Sequence, residues 1–218
     1  MLLQPLLKYW FLLPLKMSVK KLLLLFSFYS SFIICSSCTS SKISTNSPKD
    51  TNQDVFWSQL KANCGKSFKG TVVEAPDTDT IFRGKELTIH IRSCEENRIR
   101  IPFIVGTNRS RTFILRRFQN KLEWKHDHRH EDGKPEKITM YGGSTSNTGS
   151  ANMQIFPADQ QSVQIRPAGI GNVWWVEIEP GRSLTYNLRR MGAKWAYIFK
   201  FDLTKPVEAP LAPWGWIE

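Results

Sequence analysis

The chain lacks the short motifs that mark the common enzyme chemistries. It has no nucleophile elbow, no Ser-His-Asp arrangement and no phosphate loop. Carboxylates are present but not distinctively placed. Asp77 and Asp79 share a loop, residues 75–80, without the ligand spacing of a calcium site. There is no internal repeat and no alternation of strands with crossover helices, which argues against solenoid and parallel α/β architectures. No run is long enough to span a bilayer comfortably. Residues 22–34 form a mainly apolar run of about 13 residues where roughly 18–20 are needed. Residues 2–15 are also apolar, but Lys16, Lys20 and Lys21 separate the two runs. The excess of basic residues comes without a recognisable nucleic-acid motif, so nucleic acid is not an expected partner.

The first forty residues say where the protein works. Lys20 and Lys21 precede the apolar run, and Cys35-Ser36-Ser37-Cys38 ends it. This is the order of a secretory signal peptide. It resembles the lipobox of bacterial lipoproteins, with Cys35 where that pattern carries Leu. The resemblance implies cleavage before Cys38 and a lipid on Cys38. The protein is then exported and held on a membrane of the bacterial envelope, in the periplasm or at the outer membrane. Met17-Ser18-Val19-Lys20-Lys21 is a complete n-region, so residues 1–16 read as an upstream extension. The expected organisation is a signal peptide over 1–37, a Ser/Thr-rich flexible tether over 38–53 and one domain over 54–218.

Removing residues 1–37 takes four lysines and no acids, so the net charge falls from +11 to +7. That favours anionic surroundings such as lipid headgroups, cell-wall polymers or acidic ligands. Seven of the eight tryptophans lie after residue 38 and supply a core. Cys64 and Cys94 remain after processing, and an oxidising compartment makes a disulfide between them the default.

Residues 54–62 form the best helix candidate, with Phe56, Trp57 and Leu60 on one side and Gly65 as a stop. Nearly everything after it alternates with the period of two expected of half-buried strands. The expected strands are 67–73, 87–92, 98–103, 112–117, 122–130, 138–141, 173–178, 184–188 and 195–201. Residues 142–150 read as a Gly/Ser/Thr/Asn loop. Sequential antiparallel hairpins bury their edges best by closing into a barrel or pairing as a sandwich, and the barrel is favoured here. The expected fold is therefore mainly β: an antiparallel up-and-down β-barrel of lipocalin-like or calycin-like type, monomeric, with a short N-terminal helix near one mouth. The domain also resembles a group of uncharacterised exported bacterial proteins. The segments that carry the likeness are residues 125–133, Met140-Tyr141-Gly142-Gly143 and residues 201–206. That likeness implies no activity.

Three of the four histidines lie at 126, 128 and 130. On a strand the even positions from Leu122 through Trp124 to His130 share one face. The odd positions, Glu123 to Glu131, are all charged, which assigns them to solvent. The histidines should follow Leu122 and Trp124 into the interior, near a barrel mouth. Trp124, His126, His128, His130 and Met140 are the candidate ligand-binding residues. His126 and His128 could converge on a divalent metal, whereas His126 and His130 are separated by roughly 13 Å of strand. The imidazoles could instead bind a cavity ligand, haem included, or be solvated on a protruding hairpin. Three function classes follow. The first is a binding module for a small apolar or amphipathic ligand. The second is a metal- or histidine-dependent enzyme. The third is a structural envelope protein that engages a partner or an anionic polymer.

The lipid anchor has a direct test. Cys38→Ala should move the protein from the membrane fraction to the soluble fraction of the envelope. Unchanged fractionation would remove the lipoprotein reading.

Overall fold

The computed structural model describes residues 50–217. The expected signal peptide, Cys38 and the expected tether up to residue 49 lie outside the described residues. Helix α1 spans Asn52–Lys61 and starts two residues earlier than its apolar pattern suggests, because its cap is Thr51. The Thr51 hydroxyl accepts from the Asp54 N–H at 3.1 Å, and the Asp54 carboxylate accepts from the Thr51 N–H at 3.0 Å. This reciprocal capping box satisfies two otherwise orphaned donors.

Eleven strands follow: β1 Ser67–Glu74, β2 Leu87–His90, β3 Ser93–Cys94, β4 Arg98–Val105, β5 Asn108–Phe118, β6 Lys121–His128, β7 Tyr141–Ser144, β8 Met153–Pro157, β9 Asn172–Glu179, β10 Ser183–Arg190 and β11 Ala196–Val207. A second helix, α2, spans Gln160–Ile165 between β8 and β9. The sheet order is β7-β6-β5-β4-β2-β1-β11-β10-β9-β8, with the short β3 on β4. Each strand in this path pairs antiparallel with its neighbour, and the first strand pairs with the last. The molecule is thus an up-and-down, lipocalin-like barrel of ten strands, nearly closed.

The gap in the ring lies between β7 and β8. One bridge, Gly143 to Ala158, and one hydrogen bond, from the Asp159 N–H to the Gly142 carbonyl at 3.1 Å, cross it. The backbones there come too close for any side chain. A Cβ at Gly143 would lie 1.8 Å from the Pro157 carbonyl oxygen, and one at Gly142 would lie 1.9 Å from that of Trp124. The Gly142-Gly143 pair is therefore strand and not loop, and it permits backbone approach at a seam.

Helix α2 covers the seam from outside. Its cap, Asp159, accepts from the Ser162 N–H at 2.8 Å. The Ser162 hydroxyl donates to the Gly142 carbonyl at 2.7 Å. Lys125 is only 1% exposed. Its ammonium donates to Asp159 Oδ2 at 2.6 Å and to Gln161 Oε1 at 2.8 Å. Glu123 is also buried and pairs with Arg116. The expectation that every odd position from 123 to 131 faces water therefore fails at Glu123 and Lys125. Parity gave their face correctly, but α2 covers that face. Burial alone would raise the Asp159 pKa, but the bonds from Lys125 and Ser162 outweigh it and hold the carboxyl below its ordinary value.

Inside the barrel the even positions of β6 and β9 meet the odd positions of β4, β5 and β11. Leu122, Trp124, Trp174, Val176, Ile101, Phe103, Phe113, Leu115, Phe199 and Phe201 form one continuous core. Phe56, Trp57 and Leu60 of α1 join the same core. Asp54 pairs with Arg117 near the end of β5 at 3.1 Å, and the Arg117 guanidinium lies 4.8 Å from the Trp57 ring centroid. The helix therefore plugs the barrel end where β5 finishes and leaves the end where β5 begins to other elements. Cys64, just after α1, is bonded to Cys94 of β3, with Cα atoms 6.1 Å apart. A closed loop of that size stabilises the fold by roughly 3–4 kcal/mol on the chain-entropy model.

Sequence reading misses β8 and α2. Strand β8 hides because Gln154, fully buried, occupies an inward position beside Phe156. Its amide donates to the carbonyls of Thr148 and Ser150. The expected strand at 138–141 starts later, at Tyr141, since Met140 adopts a positive φ of 58°. The C-terminal Trp216 packs away from the cavity. It sits under the guanidinium groups of Arg92 and Arg100, at 4.9 and 5.4 Å from its ring centroid.

The seam gives a quantitative expectation. Asp159→Ala removes the α2 cap and leaves Lys125 buried without its carboxylate, and should destabilise the domain by about 3 kcal/mol. Lys125→Met removes the charge itself and should cost clearly less. Denaturant unfolding of the two variants checks the order.

Candidate functional site

The end of the barrel opposite α1 holds a cavity of about 500 Å³, within the size range of small-molecule sites. Its position follows from strand polarity. Along β5 the inward positions run from Leu115 and Phe113 to Arg111, from apolar core to cation. Along β10 they run from Leu184 through Tyr186 and Leu188 to Arg190. Along β6 they run from Trp124 to His126 and His128. All three strands change from apolar to polar at the same end, and Arg111, Arg190, His126 and His128 all line the cavity.

A loop between β1 and β2 bends over this mouth and contributes Pro76, Thr78, Ile81 and Phe82 to the lining. Asp79 holds the loop's shape. Its carboxylate accepts N–H bonds from Phe82 at 3.0 Å and Arg83 at 2.9 Å, and a hydroxyl bond from Tyr197 at 3.3 Å. Burial would raise its pKa, but the backbone donors outweigh that and lower it. Asp79 is thus spent on loop structure. Phe82 packs on Phe103, Tyr197 and Phe199, with ring centroids 5.9, 5.4 and 4.7 Å away.

His126 is 3% exposed. Its Nδ1 lies 3.0 Å from the Tyr141 carbonyl and its Nε2 lies 2.7 Å from the Tyr186 hydroxyl. A carbonyl only accepts, so Nδ1 carries the proton of the neutral ring. Tyr186 then donates to Nε2. The ring also stacks on Tyr141, centroid to centroid 4.7 Å. Burial is the main reason its pKa falls to about 3, and the charges of the neighbouring His128 and Lys125 add to that. His128 follows the same parity with a side chain 15% exposed. The Tyr141 hydroxyl lies 3.0 Å from its Nε2. Burial, then the Arg111 charge, lower its pKa to about 4, while Asp127 acts the other way. Burial drives the Tyr186 hydroxyl well above its ordinary value and pushes Tyr141 up to about 12. At neutral pH the four groups form an uncharged hydrogen-bonded set.

The remaining sequence-derived residues fall elsewhere. Trp124 packs among Phe113, Phe156 and Tyr186 in the core and is not among the lining residues. β6 ends at His128, and His130 is exposed on the hairpin that follows. Met140 sits at the turn into β7, outside the lining. Asp127 and Arg129 are half-buried and pair with each other at 3.0 Å. No group of three or more metal-ligating side chains occurs among the described residues. Both ring nitrogens of His126 are already engaged, which leaves it no lone pair for a metal. The one carboxylate within ion-pair distance of a histidine, among the described residues, is Glu136, 3.9 Å from His128 Nδ1.

Sequence reading overlooks Arg111, Arg166, Arg190 and Trp174. Arg111 and Arg190 stand one and two residues outside the expected strands 112–117 and 184–188. Extending the period of two by that much puts both on the inner face with Phe113 and Leu188. Arg166 has no such signal, because it follows α2.

Neutral buried histidines make stability depend on pH. Below pH 6.5 the unfolded chain binds protons that native His126 and His128 refuse until about pH 3 and about pH 4. Their contribution is complete above pH 6.5 and is lost as pH falls through that window. His126→Gln can keep both hydrogen bonds without titrating. Between neutral pH and about pH 4 it should lose about 2–3 kcal/mol less stability than the unsubstituted protein, read from urea unfolding at each pH.

Comparison with protein-family models, curated proteins and solved structures returns no match for this chain.

Proposed function

We propose that the domain is a non-enzymatic binding module of the cell envelope, which holds a small apolar or amphipathic molecule in the open end of its barrel. The observation that carries this reading is the cavity itself. The core is continuous from α1 to Trp124, and this cavity opens where aromatic walls meet convergent polar groups. Phe103, Phe113, Trp174, Tyr186 and Phe199 supply the apolar wall. Apolar walls with a few fixed polar groups are the usual composition of ligand pockets.

Histidine catalysis finds less support. A general base needs a free lone pair within reach of a substrate proton. The Nε2 lone pair of His126 is occupied by Tyr186. No carboxylate stands among the lining residues to orient either ring. Glu136 approaches His128 from the partly exposed hairpin and not from across the cavity. A purely structural role leaves the cavity without a purpose.

A neutral fluorescent probe tests the reading without any appeal to charge. N-phenylnaphthylamine should brighten on mixing with the purified domain and saturate at one site. Leu188→Trp fills part of the cavity from β10 and should weaken that binding roughly tenfold or more. Absence of a saturable signal with the folded domain would reject the binding module.

A further inference from the structure

The cavity has cations and no anion. Arg111, Arg166 and Arg190 all contribute to its lining, and no aspartate or glutamate does. Elsewhere on the domain arginines are routinely neutralised. Arg83, Arg98, Arg100, Arg116, Arg117, Arg129 and Arg182 each lie within ion-pair distance of a carboxylate. Among the described residues, none of the three cavity arginines has such a partner.

Two of them are also fixed in place. Arg111 Nη1 donates to Asn108 Oδ1 at 3.0 Å, and its guanidinium lies 5.6 Å from the Phe82 ring centroid. Arg190 Nε donates to Asn172 Oδ1 at 3.1 Å, and its guanidinium lies 6.0 Å from the Trp195 centroid. These contacts use one amide oxygen for each guanidinium and leave further N–H donors. A partly buried cation without a counter-charge is costly. Burial lowers the Arg111 pKa, although a guanidinium stays charged. Glu136 acts on Arg111 only through space. The histidines beneath are kept neutral by burial and cannot supply an anion.

We infer that the ligand is an anionic amphiphile, whose carboxylate or similar acidic head pairs with Arg111 and Arg190 while its apolar body lies against the aromatic wall. This rests on the binding-module reading and adds the chemical class of the ligand. Arg166, exposed at the rim after α2, lies on the path of an arriving anion. The fork geometry of a guanidinium suits a planar carboxylate better than an ammonium would.

The test uses matched pairs that differ in the head group alone: dodecanoate with dodecanol, and naphthoate with naphthylmethanol. Each competes with N-phenylnaphthylamine on the whole mature domain at neutral pH. The acid of at least one pair should bind roughly tenfold or more tightly than its alcohol. Arg111→Met and Arg190→Met should each remove most of that preference, read as the ratio of acid to alcohol affinity within each variant. Equal binding of acid and alcohol in both pairs would overturn the inference and leave the cavity function standing. A preference that survives both substitutions would also overturn it, because the charge would then be read elsewhere. Loss of all probe binding in the unsubstituted protein would reject the binding module, and this inference with it. Should a Met variant fail to fold, Arg111→Lys and Arg190→Lys carry the test. Each keeps the charge but loses the fork, and full retention of the acid preference in both would count against the assignment.

Discussion

A single meander of strands has two free edges, and the rest of this structure depends on how they are joined. The chain solves the problem at Gly142 and Gly143. Only residues without a side chain let β7 approach both β6 and the end of β8. A row of unpaired backbone groups would otherwise face water or another chain. Because so few hydrogen bonds cross the seam, a second device holds it from outside. Ser162 bonds to Gly142, Asp159 bonds to Ser162, and Lys125 bonds to Asp159. The buried lysine makes sense in this setting. Its hydrophobic alternatives would pack as well, but they could not tie α2 to β6. The seam also borders the site. Tyr141, which accepts from His126 through its carbonyl and reaches His128 through its hydroxyl, is the residue immediately before the glycines.

Closing the ring fixes which way each side chain points, and a gradient along the barrel axis follows. At the α1 end the interior is dry, sealed by Phe56, Trp57 and Leu60 and by the disulfide beyond them. In the middle, Trp124 and Phe113 fill the barrel. Past them, polar groups enter one at a time, and each is satisfied within the protein or directed at the cavity. Tyr186 and His126 satisfy each other. The arginines are held by amides and by aromatic faces that attract a cation without neutralising it. The gradient therefore ends in a cluster of positive charge at the cavity mouth.

Much of this was legible in the sequence, for a definite physical reason. Alternation has a period of two whatever the neighbours are, so the inward face of β6 could be read from Leu122 and Trp124 alone. His126 and His128 lie where that reading puts them. What lies on the far side of a strand is a tertiary fact. Glu123 and Lys125 look like a solvated face because nothing local announces that a six-residue helix will lie on them. Strand ends are equally illegible. Arg111 and Arg190 look like the polar flanks where strands stop, but pairing with β6 and β9 carries both strands further. Parity puts His130 on the face of His126 and His128, but β6 ends at His128, and the turn at φ 58° keeps Met140 out of the site as well.

The same distinction separates the histidines, conspicuous in the sequence, from the arginines, which are not. Three histidines in five residues stand out in any composition, yet imidazole is versatile and its local pattern decides nothing. Here the ring of His126 is bound on both nitrogens and kept neutral by burial, so it acts as a polar strut between Tyr141 and Tyr186. Arginine cannot be neutralised in this way. A guanidinium without a carboxylate stays charged and keeps its donors, and its surroundings must provide for it or a ligand must. An arginine is unremarkable in a sequence with excess basic residues and becomes informative only when its partners can be counted in space. The net charge of the chain pointed toward anions in general. The unpaired arginines bring that tendency to the open end of the barrel, next to apolar walls that can bind the rest of such a molecule.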